Sequence, residues 1–366
     1  MLSSCIDHSP RRLAAAGSNT LGSGKTTSFH IALMAGVSQA TVSRALRDSP
    51  LVSEATREKV KQIARDLNYH VDRSAAGLRS GQTRTLAVLL FEDDTIGDAS
   101  VNPYFLSMLG HITRSAARRD YDVLVAFQQL SENWHQHYEI SNRADGIILL
   151  GYGDFVSFDD KLERLRRDDA HFVVWGASAP GLDGRSVGCE NRLGGEIATR
   201  HLLSLGRRRI AFFGEMDERC PEFRDRYDGY TDALNAEGID IDPALQFDAR
   251  GKESLGVQAV EQLLASGTQF DAIFAASDLI AIGAIAALHE AGLSVPGDVS
   301  VVGYDDIHAA SCITPALTTI RQDPRAAAGA LVDLLLTRIA GGKGDSRQLP
   351  PQLIVRKSCG SDKIKS

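Results

Sequence analysis

The sequence predicts a small all-α head, built as a helix–turn–helix, joined to a larger α/β body of two lobes whose parallel sheets are flanked by helices. Three observations carry this reading. Between Phe29 and Leu46 the run FHIALMAGVSQATVSRAL breaks at Gly36 into two short helical patterns. From Arg84 onward, short β-branched or Leu-rich runs alternate with amphipathic stretches, the texture of sheets covered on both faces. Charge is also divided: residues 1–84 hold 12 Lys/Arg against 6 Asp/Glu, and the remainder carries a net charge of −13. A basic head on an acidic body suits a head that meets phosphates.

In the head, Ala32 and Ala35 are small enough for a second helix to pack closely, and Gly36 supplies the freedom of a tight turn. Ser38 stands where an N-cap belongs. On the helix it opens, Val42, Ala45 and Leu46 point inward, while Gln39, Ala40, Ser43, Arg44 and Arg47 share the outer face. A dry inner face with small, hydrogen-bonding outer residues fits a DNA major groove, although a surface helical hairpin has the same pattern. Ser53 caps a third helix with Val60, Ile63, Ala64 and Leu67 as its stripe. The head therefore spans residues 26–70. Residues 1–25 lack periodicity and read as a disordered extension or a mis-assigned start. The GSGKTT run there is rejected as a phosphate loop, because Asn19 stands where a Gly is needed and no buried strand precedes it. Residues 71–83 form a linker with one short helical turn through Ser74–Leu78.

The body is expected over 84–358, with a tail at 359–366. Strands are read at 86–90, 121–127, 146–150, 172–175, 210–214, 272–276 and 299–303, with a last one through Leu353–Arg356. Helical stretches lie near 105–119, 194–205, 226–237, 254–266, 278–291 and 323–340. About 270 residues exceed one doubly wound sheet, which argues for two lobes around a cleft. No apolar run is long enough for a membrane span, and no signal peptide is evident. Cys5, Cys189, Cys220, Cys312 and Cys359 are scattered without zinc spacing, so reduced thiols in a cytoplasm are expected, with no metal, cofactor or catalytic set.

The run AGVSQATVSRAL, the later VSEATREKV and the following Tyr69 resemble the DNA-binding head of the lactose-repressor (LacI/GalR) family of bacterial transcription regulators. The body carries matching phrases in order: NPYF, RADGIILL, GRRRIAFFGE, RDRYDGY, FAASDLIAIGA, VPGDVSVVGYDD and TPALTTIRQD. The resemblance runs from about Thr26 to Arg356. It implies a hinge helix that folds on DNA, a body similar to periplasmic sugar-binding proteins, and a homodimer on near-palindromic double-stranded operator DNA. It also implies a repressor whose operator affinity is set by a small molecule in the cleft. A sugar is the expected effector, and nucleobase-binding relatives keep another class open.

By that resemblance Gln39 and Ala40 read bases, the first pairing with adenine and the second touching a thymine methyl. Thr27, Ser38, Thr41, Ser43, Arg44 and Tyr69 have the donors for phosphate contact, though helix capping explains a lone Ser or Thr equally well. Leu78 matches the hinge leucine that wedges into the minor groove. The hinge departs from the family pattern at Val71-Asp72 and Ala75-Ala76-Gly77, and His30 stands where Asp is common. In the cleft, Tyr104 and Phe105 are expected at the end of the first strand, with Trp175 as a stacking platform. Arg226 and Asp305 supply a donor fork and a bidentate acceptor for vicinal hydroxyls. Glu190-Asn191 and Ser277-Asp278 are further polar candidates, and Asp306 reads as structural. Core packing is the alternative for the rings, and an inter-lobe salt bridge for Arg226 and Asp305.

Two rival functions fit the sequence less well. An enzyme using Glu190, Asp278 and Asp305 lacks a nucleophile or metal cluster and leaves the head unexplained. A periplasmic receptor needs a signal peptide and has no use for the head. Without room for a C-terminal heptad coil, a dimer rather than a coil-tethered tetramer is expected.

Overall fold

Helix α1 (Ser28–Ala35) ends because Gly36 takes a left-handed φ of 73°, which turns its N–H back onto Ala32 O. Helix α2 (Gln39–Leu46) then starts at Ser38, whose Oγ accepts the Thr41 N–H at 3.2 Å. Helix α3 (Glu54–Asp66) starts in the same way at Ser53, which accepts from Thr56 at 3.3 Å. Each such cap contributes about 1 kcal/mol. The three helices close over Ile31, Ala32, Ala35, Val42, Ala45, Val52, Val60 and Ala64. Lys59 reaches across to the Ala35 carbonyl at 3.0 Å, satisfying an acceptor at the end of α1. His30 also has a consequence that the sequence left without one. Its Nδ1 accepts the Thr27 N–H at 3.1 Å, so it takes the acidic member's part in a capping box.

This computed structural model describes residues 26–69, 82–91, 101–128, 133–151, 155–176 and 181–361, with only the backbone at 155–157. The chain divides into two compact units, Met1–Ala76 and Gly77–Ser366. The expected extension 1–25 and the hinge turn with Leu78 lie outside the described residues.

The second unit holds two six-stranded sheets. The first lobe is built from β1 (Thr85–Leu90), α4 (Pro103–Ala117), β2 (Asp122–Phe127), β3 (Gly146–Leu150), α5 (Phe155–Arg167), β4 (Phe172–Trp175) and β5 (Ser186–Cys189). The chain then crosses into the second lobe with α6 (Asn191–Ser204), β6 (Ile210–Phe213), α7 (Pro221–Ala236), β7 (Gln246–Phe247) and α8 (Glu253–Ala265). That lobe continues through β8 (Ala272–Ala275), α9 (Asp278–Glu290), β9 (Ser300–Asp305), α10 (His308–Cys312) and β10 (Thr318–Arg321). Helix α11 (Pro324–Ile339) returns to pack on α4, β11 (Arg347–Leu349) joins the first sheet, and β12 (Gln352–Ile354) joins the second. The strand orders are β11-β5-β4-β3-β1-β2 and β12-β10-β9-β8-β6-β7. All pairings are parallel except β12 on β10.

Both sheet faces are dry, which explains the unbroken apolar strands. Leu86, Val88 and Leu90 face one core cluster, while Ala87 and Leu89 face another with Trp134 and Phe158. Helices α6 and α7 meet backbone to backbone. A Cβ at Gly195 would lie 2.1 Å from Arg226 O, and one at Gly229 would lie 1.9 Å from Arg192 O. That close approach holds the N-terminal half of α7 against the start of α6.

Four strands (β5, β7, β10 and β11) and the helices α5 and α10 are additions to the sequence reading, and the last strand lies at Gln352–Ile354 rather than 353–356. Strands of two to four residues rich in Ser, Gly, Cys, Gln and Thr carry no readable alternation. They are strands because long parallel neighbours pair with them.

Candidate functional site

The outer face of α2 presents Gln39, Ala40 and Arg44 exposed to solvent. Arg47, on the same face, folds back along its own helix, donating to Ser43 O at 3.2 Å and to Ser43 Oγ at 3.0 Å. Ser38 Oγ lies 2.9 Å from Thr41 Oγ1, and the exposed Thr27 hydroxyl lies 3.1 Å from His30 Nδ1. Ser38, Ser43 and Thr27 are therefore engaged in capping and local bonds. A hydroxyl so engaged still has a lone pair or proton for a phosphate. Tyr69 is half-buried against the head core, its N–H closing α3 onto Ala64 O at 2.8 Å.

In the body, Arg226 and Asp305 come together at the carboxyl ends of the second sheet. Both are buried, with Arg226 NH1 3.9 Å from Asp305 Oδ1. Arg226 Nε donates to Asn191 Oδ1 at 3.0 Å, and NH1 donates to Ala276 O. Its guanidinium carbon stands 3.7 Å from the Tyr304 ring centroid and 5.0 Å from that of Phe223. Stacking, two acceptors and a carboxylate fix the fork in one orientation. Asp305 has φ 112° and Asp306 φ 56°, two successive non-glycine residues in backbone that side chains disfavour. Such strain, of order 1–3 kcal/mol per residue, clusters at binding sites. It is held here because Asp306 accepts from Arg321 Nε at 2.7 Å and from Arg356, a scaffold role in keeping with the sequence reading.

Several expected contacts lie elsewhere. Tyr104 and Phe105 open α4 rather than ending β1; Asn102 Oδ1 caps that helix by accepting the Tyr104 N–H at 2.9 Å, with Pro103 at its first turn. Both rings are buried in the core, 5.3 Å apart, with Tyr104 6.1 Å from Trp175. Trp175 ends β4, and its Nε1 is buried without a hydrogen-bond partner among the described residues. The Glu190 side chain is exposed beside α6, and its neighbour Asn191 is the one that turns toward Arg226. Ser277 Oγ caps α9 by accepting from Ile280 at 3.4 Å. Asp278 is engaged within the fold. Fully buried, it accepts the Thr319 hydroxyl at 2.5 Å and the Ile307 N–H at 2.8 Å, tying α9 to the ends of β9 and β10. Burial, with Asp305 beside it, pushes its carboxyl well up.

Two polar residues were missed. Gln322, 1% exposed, donates from Nε2 to Asp305 Oδ1 at 2.8 Å. The parallel register that sets Arg321 beside Asp305 brings it there. Glu222, in the first turn of α7, lies one helical turn before Arg226 on the same face. Its signal was that i, i+4 spacing. Among the described residues no cluster of three metal-ligating side chains occurs, and no helix is long and apolar enough to cross a membrane.

Comparison with known proteins bears on both sites. The profile described as "Bacterial regulatory proteins, lacI family" matches residues 30–72, and "Periplasmic binding protein-like domain" matches 199–359. The ribose operon repressor of Escherichia coli K12 is 32% identical over 336 residues, spanning 90% of this chain and 98% of its own. Among solved structures, the lac repressor dimer bound to operator and the anti-inducer ONPF is similar, with a TM-score of 0.79, 27% identity and coverage of 92% and 99%. A complex of the transcriptional regulator CelR with cellobiose is similar too, with a TM-score of 0.68, 29% identity and coverage of 91% and 100%.

Proposed function

The chain belongs to the lacI family of bacterial regulatory proteins, and from that premise we propose that it is a sequence-specific repressor whose hold on operator DNA is set by a sugar-like molecule bound between the two lobes of its body. One observation carries the reading: a helix with an exposed Gln39-Ala40-Arg44 face and a buried Arg226–Asp305–Asn191–Gln322 constellation occur in one chain. The first has the groups to read base edges and hold phosphates. The second offers a fork and a carboxylate to adjacent hydroxyls. The similar structures support the pairing, since one is a repressor dimer on operator and another a regulator with cellobiose.

A homodimer reading two half-sites, with Thr27, Ser38, Thr41, Ser43 and Tyr69 registering the head on phosphates, completes the proposal. So does an effector that acts by unequal affinity for the operator-competent and operator-released states. A 100-fold preference corresponds to about 2.7 kcal/mol. The test is footprinting of the full chain on DNA upstream of its own and neighbouring transcription units, with and without a sugar panel. A protected near-palindrome that one sugar class releases or tightens is expected. No protection under any condition overturns the reading.

A further inference from the structure

One helical turn before Arg226 on α7, Glu222 lines a pocket with Gln128, Trp134, Phe158 and Trp175 of the other lobe. Its volume is about 50 Å³. An apolar cavity of ~150 Å³ holds a benzene ring, so this one suits a single small substituent rather than a second ring. Three aromatic rings contribute to it, two of them, Trp134 and Phe158, stacked at 6.0 Å. The carboxylate in its lining belongs to Glu222, 8% exposed, and it lies so close to the chain that a Cβ at Gly176 would sit 2.6 Å from Oε1.

Resting on the cleft reading above, we propose that the effector carries a protonated amine, and that this ammonium group seats on Glu222 among the rings of Trp134, Phe158 and Trp175. Aromatic faces and a buried carboxylate together favour a cation over a neutral hydroxyl. Lys161 Nζ, 5.7 Å over the Trp134 ring, shows the same attraction from a side chain. The polyhydroxyl part of the ligand then lies on Arg226 and Asp305, one turn further along α7.

Trp134 and Trp175 are the chain's two tryptophans, so intrinsic fluorescence reports on this pocket directly. The full chain is titrated, at mildly acidic pH, with three matched pairs: glucose and glucosamine, galactose and galactosamine, mannose and mannosamine. In at least one pair the amine is expected to bind at least about tenfold more tightly. Glu222→Gln, which keeps the volume, and Gly176→Ala, whose methyl displaces the carboxylate, should each erase that preference. Neutral sugars that bind as tightly as their amines in every pair overturn the proposal and leave the cleft reading standing. Fluorescence silent to all six compounds also overturns the proposal, and the cleft reading is then judged by the footprinting alone. Because the pairwise preference is measured on the unaltered chain, a variant that fails to fold does not obscure the answer.

Discussion

In the head, Gln39, Ala40 and Arg44 stand in solvent on an eight-residue helix, whereas in the body Arg226 and Asp305 are 0% and 2% exposed. The head's scaffold and the groups proposed to read DNA occupy opposite faces of α2, so one can change without the other. In the body they coincide: the guanidinium proposed to meet a ligand also holds Asn191, the Ala276 carbonyl and the Tyr304 ring. Substitutions in the two regions should therefore fail in different ways.

The largest effect is expected at Arg226→Ala. Removing one member of a buried charged network strands its partners, at a cost of about 3–5 kcal/mol. Calorimetry should show a lowered body transition, and the ratio of operator affinities with and without effector should fall to one. A body that melts unchanged and still responds would break the contrast. Gln39→Ala should cost about 1–3 kcal/mol on the preferred operator and almost nothing on random duplex, read by competition gel shift. By contrast, Arg44→Ala should weaken all sequences alike and lower the salt slope by about one. Equal losses for both variants on both DNAs would mean that α2 does not read bases.

Gly36→Ala forces a side chain into left-handed backbone at a cost of roughly 1–2 kcal/mol. That loss should appear in the protease resistance of the head while the body's melting stays put. The smallest effect is pH-dependent and belongs to Cys359. Burial raises its thiol, but hydrogen bonds involving His201, Thr318 and Ser361 outweigh burial and bring it from 9.0 down to about 7. An acid that ionises more readily when folded adds stability that is complete above its unfolded value and lost as pH falls through its folded one. The stability gap between the unaltered chain and Cys359→Ser should thus widen as pH rises from 7 to 9 in urea melts. A gap independent of pH would remove the thiolate from the account.

These differences also explain what could be read from residue order. The head was legible because its determinants are local: Gly36, the Ser38 and Ser53 caps, and a stripe including Val60 and Ala64 all act within a few positions. Arg226 and Asp305 were reached through the phrases RDRYDGY and VPGDVSVVGYDD rather than from spacing. Gln322 was not, because only the register of two parallel strands brings it to Asp305. Tyr104 and Phe105 were placed at a strand end although Asn102-Pro103, a cap followed by a first-turn proline, marked a helix start. The bonds of Asp278 to Thr319 and Ile307 could not be read either, because those partners lie 41 and 29 positions away.

The route of the chain between the sheets bears on how the protein is made. The first sheet takes its final strand from Arg347–Leu349, far beyond the residues that build the rest of it. Until a ribosome has passed that point, strand β5 has an open edge and the surface later covered by α11 stays bare. The amino-terminal lobe, although translated first, can be finished only after nearly all of its neighbour has emerged.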